Sequence, residues 1–233
     1  MPAHHLPPEG IGLPTFEAIG PHDVVDLSLP IFDGAPSYPA DPPCLVTPFL
    51  TIPESVANTR TIQMGSHQGT HLDAPFHFLA DGATVDQIPL EQTTGPAFLL
   101  DLGDRAPRSS IGVDDFAGLH LKPGDRLVYR MGWDRRVNEP AYFTDMPRLS
   151  VEAAHWLADR RLALVGMDAP TPNPEDMVEV HQVLLGAGTV LLEALANLDR
   201  LRPGPFWLSA APLKVVGSDG APVRAFGVQP RGR

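Results

Sequence analysis

The sequence predicts a single domain of the mixed α/β class, and three features lead to this prediction. Short apolar runs rich in Val and Leu, of the kind found in buried strands, alternate with segments of helical periodicity. The 27 prolines and 21 glycines are spread along the chain as turn residues and gather into no linker. With 233 residues, of which 43% are hydrophobic, the chain can bury one substantial core.

The strands are predicted from local apolar patterns. They are expected at residues 24–29, 97–102, 126–129 and 162–167, with mostly extended chain at 61–73. A proline-rich loop should cover residues 31–43. Near the C-terminus, residues 212–217 and 223–228 should pair as a closing hairpin across Ser218-Asp219-Gly220.

Two helices and an N-terminal arm complete the predicted organisation. Ser150 can cap a helix, because apolar residues recur at helical spacing from Val151 to Leu157. A second helix is expected from about Thr189 to Leu198. Residues 1–21 hold five prolines and little periodicity, so we expect an arm there and the folded domain over residues 22–233.

Composition and charge exclude several kinds of protein. A net charge of −11 with no dense run of Lys or Arg argues against a nucleic-acid partner. The longest apolar runs are far shorter than the roughly 20 residues that cross a bilayer, and no secretory signal pattern is seen, so we expect a cytoplasmic protein. Cys44 is the only cysteine, so a metal site in this chain must use nitrogen and oxygen ligands.

One short segment concentrates the residues that carry chemistry. In an extended chain His67, His71, Asp73 and His77 all point to the same face. A flat strand would hold the first two about 13 Å apart, whereas two ligands of one metal lie roughly 3 Å apart. The backbone must therefore bend, and Gly69 is the residue that permits a bend. A single histidine is usually an ordinary surface or core residue, but this density favours a metal site.

Two more distant residues have suitable chemistry. His181 follows a polar, proline-rich stretch at residues 168–179. Glu193 is the only charged residue from Val183 to Leu198, on the apolar side of the second predicted helix. A glutamate on a helix is commonly a solvated surface residue, but a carboxylate in an apolar segment needs a cation or another partner to offset its desolvation.

The segment from His67 to His77 contains the complete pattern His-x-Gly-Thr-His-x-Asp-x-Pro-x-His. In this pattern the sequence resembles the cyclase family of metal-dependent hydrolases, which includes bacterial kynurenine formamidases and isatin hydrolases. The resemblance extends from about Val24 to Val228 and includes Asp26-Leu27-Ser28, Gly132-Trp133-Asp134 and Gly166-Met167-Asp168. It implies a mixed α/β domain around a curved, barrel-like sheet with flanking helices, and a homodimer or higher homo-oligomer.

The resemblance also implies a set of metal ligands. His67, His71 and Asp73 would hold one divalent cation, and Asp73 would also reach a second. His181 would bind that second cation, and Glu193 would be shared between the two. Nitrogen and oxygen ligands fit zinc or manganese, and family analogy favours zinc with manganese as the alternative.

The activity implied by the resemblance is hydrolysis of an amide by metal-bound hydroxide, with an aryl formamide such as N-formylkynurenine as the first candidate. His77 matches the family's proton donor and acceptor, a role that suits an imidazole. Tyr38 stands where the formamidases place a tryptophan against the substrate ring, and a tyrosine can still stack on an aromatic ligand. This replacement and the long polar segment at 130–148 depart from the formamidase pattern. A different or cyclic amide such as isatin is therefore the alternative substrate.

Two other kinds of protein use similar residues. A non-haem iron oxygenase needs two histidines and one carboxylate, which His71, Asp73 and His181 could supply. That triad leaves the remaining residues of the cluster without a role. A non-enzymatic metal-binding protein would close its coordination shell, whereas a hydrolase keeps a position open. The hydrolase is preferred to both.

Overall fold

The computed structural model describes residues 24–230, so the predicted arm at residues 1–21 lies outside the described part of the chain. The strands are β1 (Val24–Asp26), β2 (Leu45–Leu50), β3 (Thr59–Gln63), β4 (His71–Asp73), β5 (Thr94–Asp101), β6 (Ser110–Ile111), β7 (Arg126–Arg130), β8 (Arg148–Leu149), β9 (Leu164–Met167), β10 (Val190–Glu193), β11 (Gly204–Ser209), β12 (Gly220–Pro222) and β13 (Phe226–Val228). The α-helices are α1 (Leu90–Thr93), α2 (Val151–Ala158) and α3 (Met177–Gly186). Among the described helices, none has the length and apolar character that crossing a membrane would need.

Nine of these strands form one sheet in the order β1-β13-β11-β5-β7-β9-β10-β4-β12. Strands β5, β7, β9 and β10 run parallel to one another, and the strands on either side of this group are antiparallel. The sheet curls into a half-barrel with a few helices beside it. The predicted mixed α/β fold is therefore confirmed.

Apolar side chains on the two faces of this sheet pack into two buried clusters. Along β7, Val128 belongs to one cluster, whereas Leu127 and Tyr129 belong to the other. The second cluster also takes Leu157 from α2 and Leu184 from α3, so the two longer helices cover that face. Because the central strands are buried on both faces, they are nearly continuous apolar runs, and this explains why β5, β7 and β9 were predictable.

The predicted helix after Ser150 is confirmed as α2. The Ser150 hydroxyl accepts a hydrogen bond from the Ala153 backbone N–H at 3.1 Å, as expected of an N-cap. At the N-terminus of the domain, the predicted strand at residues 24–29 is shorter, because β1 ends at Asp26. Beyond it, Leu27 still hydrogen-bonds to the Ala225 carbonyl, and Ser28 forms an isolated bridge to Leu195.

The predicted helix from Thr189 to Leu198 is wrong. The chain there forms β10, which pairs in parallel with β9 and antiparallel with β4. A short apolar run that is buried on both faces has no periodicity to distinguish strand from helix, and here the tertiary pairing decides. Helix α3, which carries His181 and ends just before the turn at Gly188, was not predicted from the sequence.

The predicted closing hairpin is also wrong. Strand β12 pairs with β4 at one edge of the sheet, and β13 pairs between β1 and β11 at the other side. Within the described chain, the two predicted arms share only the bridge between Pro212 and Val223. The turn at residues 218–220 leads into β12, which pairs with the edge of β4. Because β4 is distant along the chain, a local sequence pattern does not reveal this pairing.

Candidate metal centre

Strand β4 presents two ligand-type side chains on one face. His71 and Asp73 point into the centre, while Leu72 between them points into the core, as the alternation of a strand requires. The antiparallel register pairs Glu193 of β10 directly with His71. Nε2 of His71 lies 3.2 Å from an Asp73 oxygen and 3.5 Å from a Glu193 oxygen. The register of two strands therefore places three of the predicted residues.

A tight turn brings His67 close to His71 and Asp73. Gly69 has φ 62°, in the left-handed region that favours glycine, so the predicted bend at this residue is present in the structure. Thr70 fixes the end of the turn, because its hydroxyl accepts from the Leu29 backbone N–H and donates to the Ala194 carbonyl. As a result Nδ1 of His67 lies 2.7 Å from the carboxylate of Asp73.

Helix α3 supplies His181 from the other side of the centre. Its Nε2 is 3.6 Å from Asp73 Oδ2 and 3.5 Å from Glu193 Oε1. Its Nδ1 donates to the Met177 carbonyl at 2.7 Å, and Nδ1 of His71 donates to the Gly69 carbonyl at 2.8 Å. With the proton of each ring held at Nδ1, the Nε2 lone pairs of these two histidines face the carboxylates.

The pKa values show how strongly these groups interact. Burial alone would lower the pKa of the histidines, but the carboxylate of Asp73 raises the pKa of His67 to about 9. Asp73 and Glu193 together raise the pKa of His181 to about 10 and that of His71 well above its ordinary value. Burial would raise the pKa of Asp73, but the histidine charges and hydrogen bonds lower it well below its ordinary value. The centre is therefore built to hold positive charge.

Two carboxylate oxygens at the centre have no hydrogen-bond partner among residues 24–230: Asp73 Oδ2 and Glu193 Oε1. Buried oxygens without partners are costly, and here both face Nε2 of His181. The separations of about 3.2–3.6 Å between donor atoms match those of neighbouring ligands around one cation. This set of donors fits a divalent metal.

His77 lies beside this cluster, on a 3-10 turn at Pro75–His77. Its ring stacks on that of His67 with centroids 3.9 Å apart, and one ring nitrogen lies within 4.8 Å of ligand atoms of Asp73 and His181. Its Nδ1 lies 3.3 Å from Oδ2 of Asp219, which is also 2.8 Å from Nε2 of His67. The structure thus brings together all six residues predicted for metal binding and proton transfer.

A cavity of about 160 Å³ opens onto the centre. Tyr38, the predicted substrate contact, lines this cavity, and its ring meets Phe143 edge-on at 5.8 Å. Phe78 stacks on the His181 ring at 4.2 Å. Trp133 is fully buried and belongs to the core. The cavity therefore joins a charged end to an aromatic wall.

Two residues of the site, Asp219 and Gln68, were not predicted from the sequence. Asp219 was seen only as part of a turn, and its partner His67 is 152 residues away along the chain. Gln68 accepts a hydrogen bond from the Ser37 hydroxyl at 2.6 Å and donates to the Pro36 carbonyl at 2.8 Å. It thereby ties the loop of Tyr38 to the histidine segment, and only its place between His67 and Gly69 could have drawn attention to it.

Gly220 is required where β12 passes the centre, because a Cβ there would lie 2.7 Å from the Leu72 carbonyl oxygen and 2.8 Å from His67 Cε1. We expect Gly220→Ala to destabilise the protein by about 1–3 kcal/mol and to weaken cation binding by displacing His67. Thermal unfolding and a metal titration measure the two effects. Gly186→Ala is the control, since a Cβ there meets nothing within 4 Å. Wild-type stability and affinity in Gly220→Ala would contradict the expectation.

Comparison with known proteins agrees with this geometry. Residues 25–174 match the family model described as "Putative cyclase". A kynurenine formamidase from Salinibacter ruber is 35% identical over 174 residues, which cover 74% of this chain and 80% of that protein. A solved "potential metal-dependent hydrolase with cyclase activity" is 33% identical, with a TM-score of 0.74 over 90% of this chain and 98% of that one. Isatin hydrolase A from Ralstonia solanacearum is 25% identical, with a TM-score of 0.78 over 88% and 92% of the two chains. The chain belongs to the cyclase family.

Proposed function

We propose that this protein is a metal-dependent hydrolase of a small amide, with an aryl formamide such as N-formylkynurenine as its substrate. One observation carries the proposal: two buried carboxylates with unpartnered oxygens meet three histidines at the end of an aromatic-lined cavity. Its relatives include kynurenine formamidases and isatin hydrolases, which are enzymes named for the hydrolysis of C–N bonds outside peptides.

In the proposed ligand assignment, Asp73 would give one carboxylate oxygen to each of two cations. His67 Nδ1, His71 Nε2 and Asp73 Oδ1 would hold one cation, and His181 Nε2 with Asp73 Oδ2 would hold a second. Glu193 would be shared, since Oε2 faces His71 and Oε1 faces His181. A divalent metal supplies a water molecule of lowered pKa and positive charge for the carbonyl oxygen. The nitrogen and oxygen ligands fit zinc or manganese, and family analogy favours zinc, with manganese as the alternative.

The remaining residues would bind the substrate and move the proton. Tyr38 and Phe143 provide an apolar wall against an aryl ring, which directs the amide towards the cations. His77 is half-buried at the mouth of the centre and would give a proton to the leaving amine. The ring of Phe78 covers His181 and keeps bulk water from that ligand.

The test is metal analysis together with hydrolysis of N-formylkynurenine, isatin and simple aryl formamides, comparing the wild type with His71→Ala. One or two zinc or manganese ions per chain, with turnover that the substitution abolishes, would support the proposal. Retention of full activity by His71→Ala, or turnover that chelators do not affect, would contradict it.

Tyr38 gives a more specific prediction about the substrate. Loss of its ring removes one aromatic contact worth about 0.5–1.5 kcal/mol, so Tyr38→Ala should lower kcat/KM for an aryl formamide by roughly 2- to 12-fold. Tyr38→Phe keeps the ring and should stay near the wild type. If Tyr38→Ala lowered kcat/KM equally for an aliphatic formamide, which has no ring to contact, Tyr38 would not act through an aromatic contact with the substrate.

A cyclic amide such as isatin is the second candidate. The observation that favours it is the segment at 130–148, which contributes Val137, Tyr142 and Phe143 to the cavity and departs from the formamidase pattern. A flat bicyclic substrate would use this additional wall. Faster turnover of isatin than of N-formylkynurenine would select this alternative.

Assembly, domain limits and location stay predictions. We expect a homodimer or higher homo-oligomer of the 22–233 domain in the cytoplasm, with residues 1–21 lying across the contact between subunits. Size-exclusion chromatography of a chain without residues 1–21 tests the role of the arm, and an unchanged assembly would contradict it.

A further inference from the structure

Asp219 lies outside the predicted ligand set, but its carboxylate contacts both a predicted metal ligand, His67, and the predicted proton donor, His77. We infer that Asp219 is a positioning residue: its Oδ2, which faces a ring nitrogen of both His67 and His77, fixes which ring nitrogen of each histidine faces the cations and the substrate. The kinetic part of this inference rests on the proposed function.

His67 has a carboxylate at each of its ring nitrogens. Nδ1 lies 2.7 Å from Asp73 Oδ1, and Nε2 lies 2.8 Å from Asp219 Oδ2. A neutral imidazole carries one proton. When that proton is on Nε2 and is donated to Asp219, the Nδ1 lone pair points to the side of Asp73 and is available to a cation. Asp219 therefore selects Nδ1 as the ligand atom of His67, in the way that outer carboxylates orient other metal-binding histidines.

The same oxygen of Asp219 faces the second histidine. It lies 3.3 Å from Nδ1 of His77, whose ring stacks on His67 at an angle of 30°. Because the carboxylate favours a proton on the Nδ1 that faces it, Nε2 of His77 is left as the atom that exchanges protons with the reacting amide. One carboxylate thus holds both rings in their stacked arrangement.

Asp219 is itself held firmly by the sheet. Its carbonyl accepts a hydrogen bond from the Ala74 backbone N–H at 2.9 Å, and the next residue, Gly220, pairs with Asp73 in the β4–β12 ladder. The carboxylate therefore keeps its place relative to β4 without depending on the histidines it contacts.

Asp86 provides a matched control, because it lies on a neighbouring 3-10 turn at Val85–Gln87 that packs against the segment of Asp219. It accepts a hydrogen bond from the Gly217 backbone N–H at 2.9 Å and one from the Thr84 hydroxyl at 2.7 Å. Within residues 24–230, the hydrogen bonds of Asp86 involve neither His67 nor His77. Asp86→Asn therefore changes the support of the turn without changing the partner of His67 and His77.

The experiment compares full-length Asp219→Asn and Asp86→Asn. For Asp219→Asn we expect kcat to fall by about 10- to 100-fold with KM within about twofold of the wild type, and zinc affinity to fall by about tenfold. Zinc affinity is measured by competition with a chromophoric chelator and needs no substrate. Asp86→Asn should retain wild-type kcat and zinc affinity, and thermal unfolding of both variants controls for general destabilisation.

A double substitution separates the two histidines. In a His77→Ala background, Asp219→Asn should cost little further kcat but should still weaken zinc binding through His67. Wild-type kcat and zinc affinity in Asp219→Asn, or equal losses in Asp86→Asn, would overturn the inference. If no amide is hydrolysed by the wild type, the proposed function fails, while the zinc titration still decides whether Asp219 positions His67.

Discussion

Asp73→Asn should abolish both metal binding and turnover. Within the described residues 24–230, its carboxylate is the one group that contacts all three proposed ligand histidines, with one oxygen towards His67 and His71 and the other towards His181. An amide removes the negative charge and places an N–H where a ligand oxygen is required. We expect kcat/KM to fall by about 1000-fold, at the upper end for loss of one electrostatic group, and metal content to fall below one ion per chain.

Metal analysis and steady-state kinetics measure these two losses. Asp33→Asn is the control, because Asp33 is exposed and contacts the Val46 backbone N–H. If Asp73→Asn kept its metal and lost only activity, the carboxylate would act on the substrate and the ligand assignment would be wrong. If it kept both, the centre would have no part in the reaction.

Chelation should leave a protein whose stability falls steeply as the pH rises above neutrality. In the metal-free protein the pKa of His67 is raised to about 9 and that of His181 to about 10. A histidine with a raised folded-state pKa contributes stability that is complete below its unfolded value of about 6.5 and is lost as the pH rises through the folded value. Between pH 6.5 and 10 the metal-free protein should therefore lose on the order of several kcal/mol, or at least about 5 °C in Tm.

The metal-loaded protein is the internal control. A cation takes the place of the protons and binds more tightly as they leave, so its stabilising effect should increase with pH over the same range. Differential scanning calorimetry of chelated and zinc-loaded samples at several pH values measures the difference between their Tm values. A constant difference from pH 6.5 to 10 would show that the histidines do not exchange protons for a cation.

The arrangement of the site residues within one short segment was predictable from the sequence, whereas the contacts between distant segments were not. The parity of His67, His71 and Asp73, and the need for a bend at Gly69, follow from the geometry of one extended segment. Such features depend only on residues close in sequence. The helix cap at Ser150 was predictable for the same reason.

The missed elements all depend on pairing between distant residues. Glu193 was placed on a helix, because an apolar run of this length does not reveal that β9 and β4 flank it on both sides. The partner of His67 at Asp219 and the position of β12 beside β4 also arise from the closing of the sheet. The ligand-type residues could therefore be predicted from the sequence, whereas the order of the strands in the sheet could not.

The three-residue strand β4 has a consequence for folding. Its alternation sends Leu72 to the hydrophobic core and its two neighbours, His71 and Asp73, towards the candidate metal centre. A slip of one residue against β10 would reverse this, burying two ionisable groups in the core and removing ligands from the centre. A bound ion would favour only the chain with the correct pairing, so metal uptake during folding would also select against misregistered sheets.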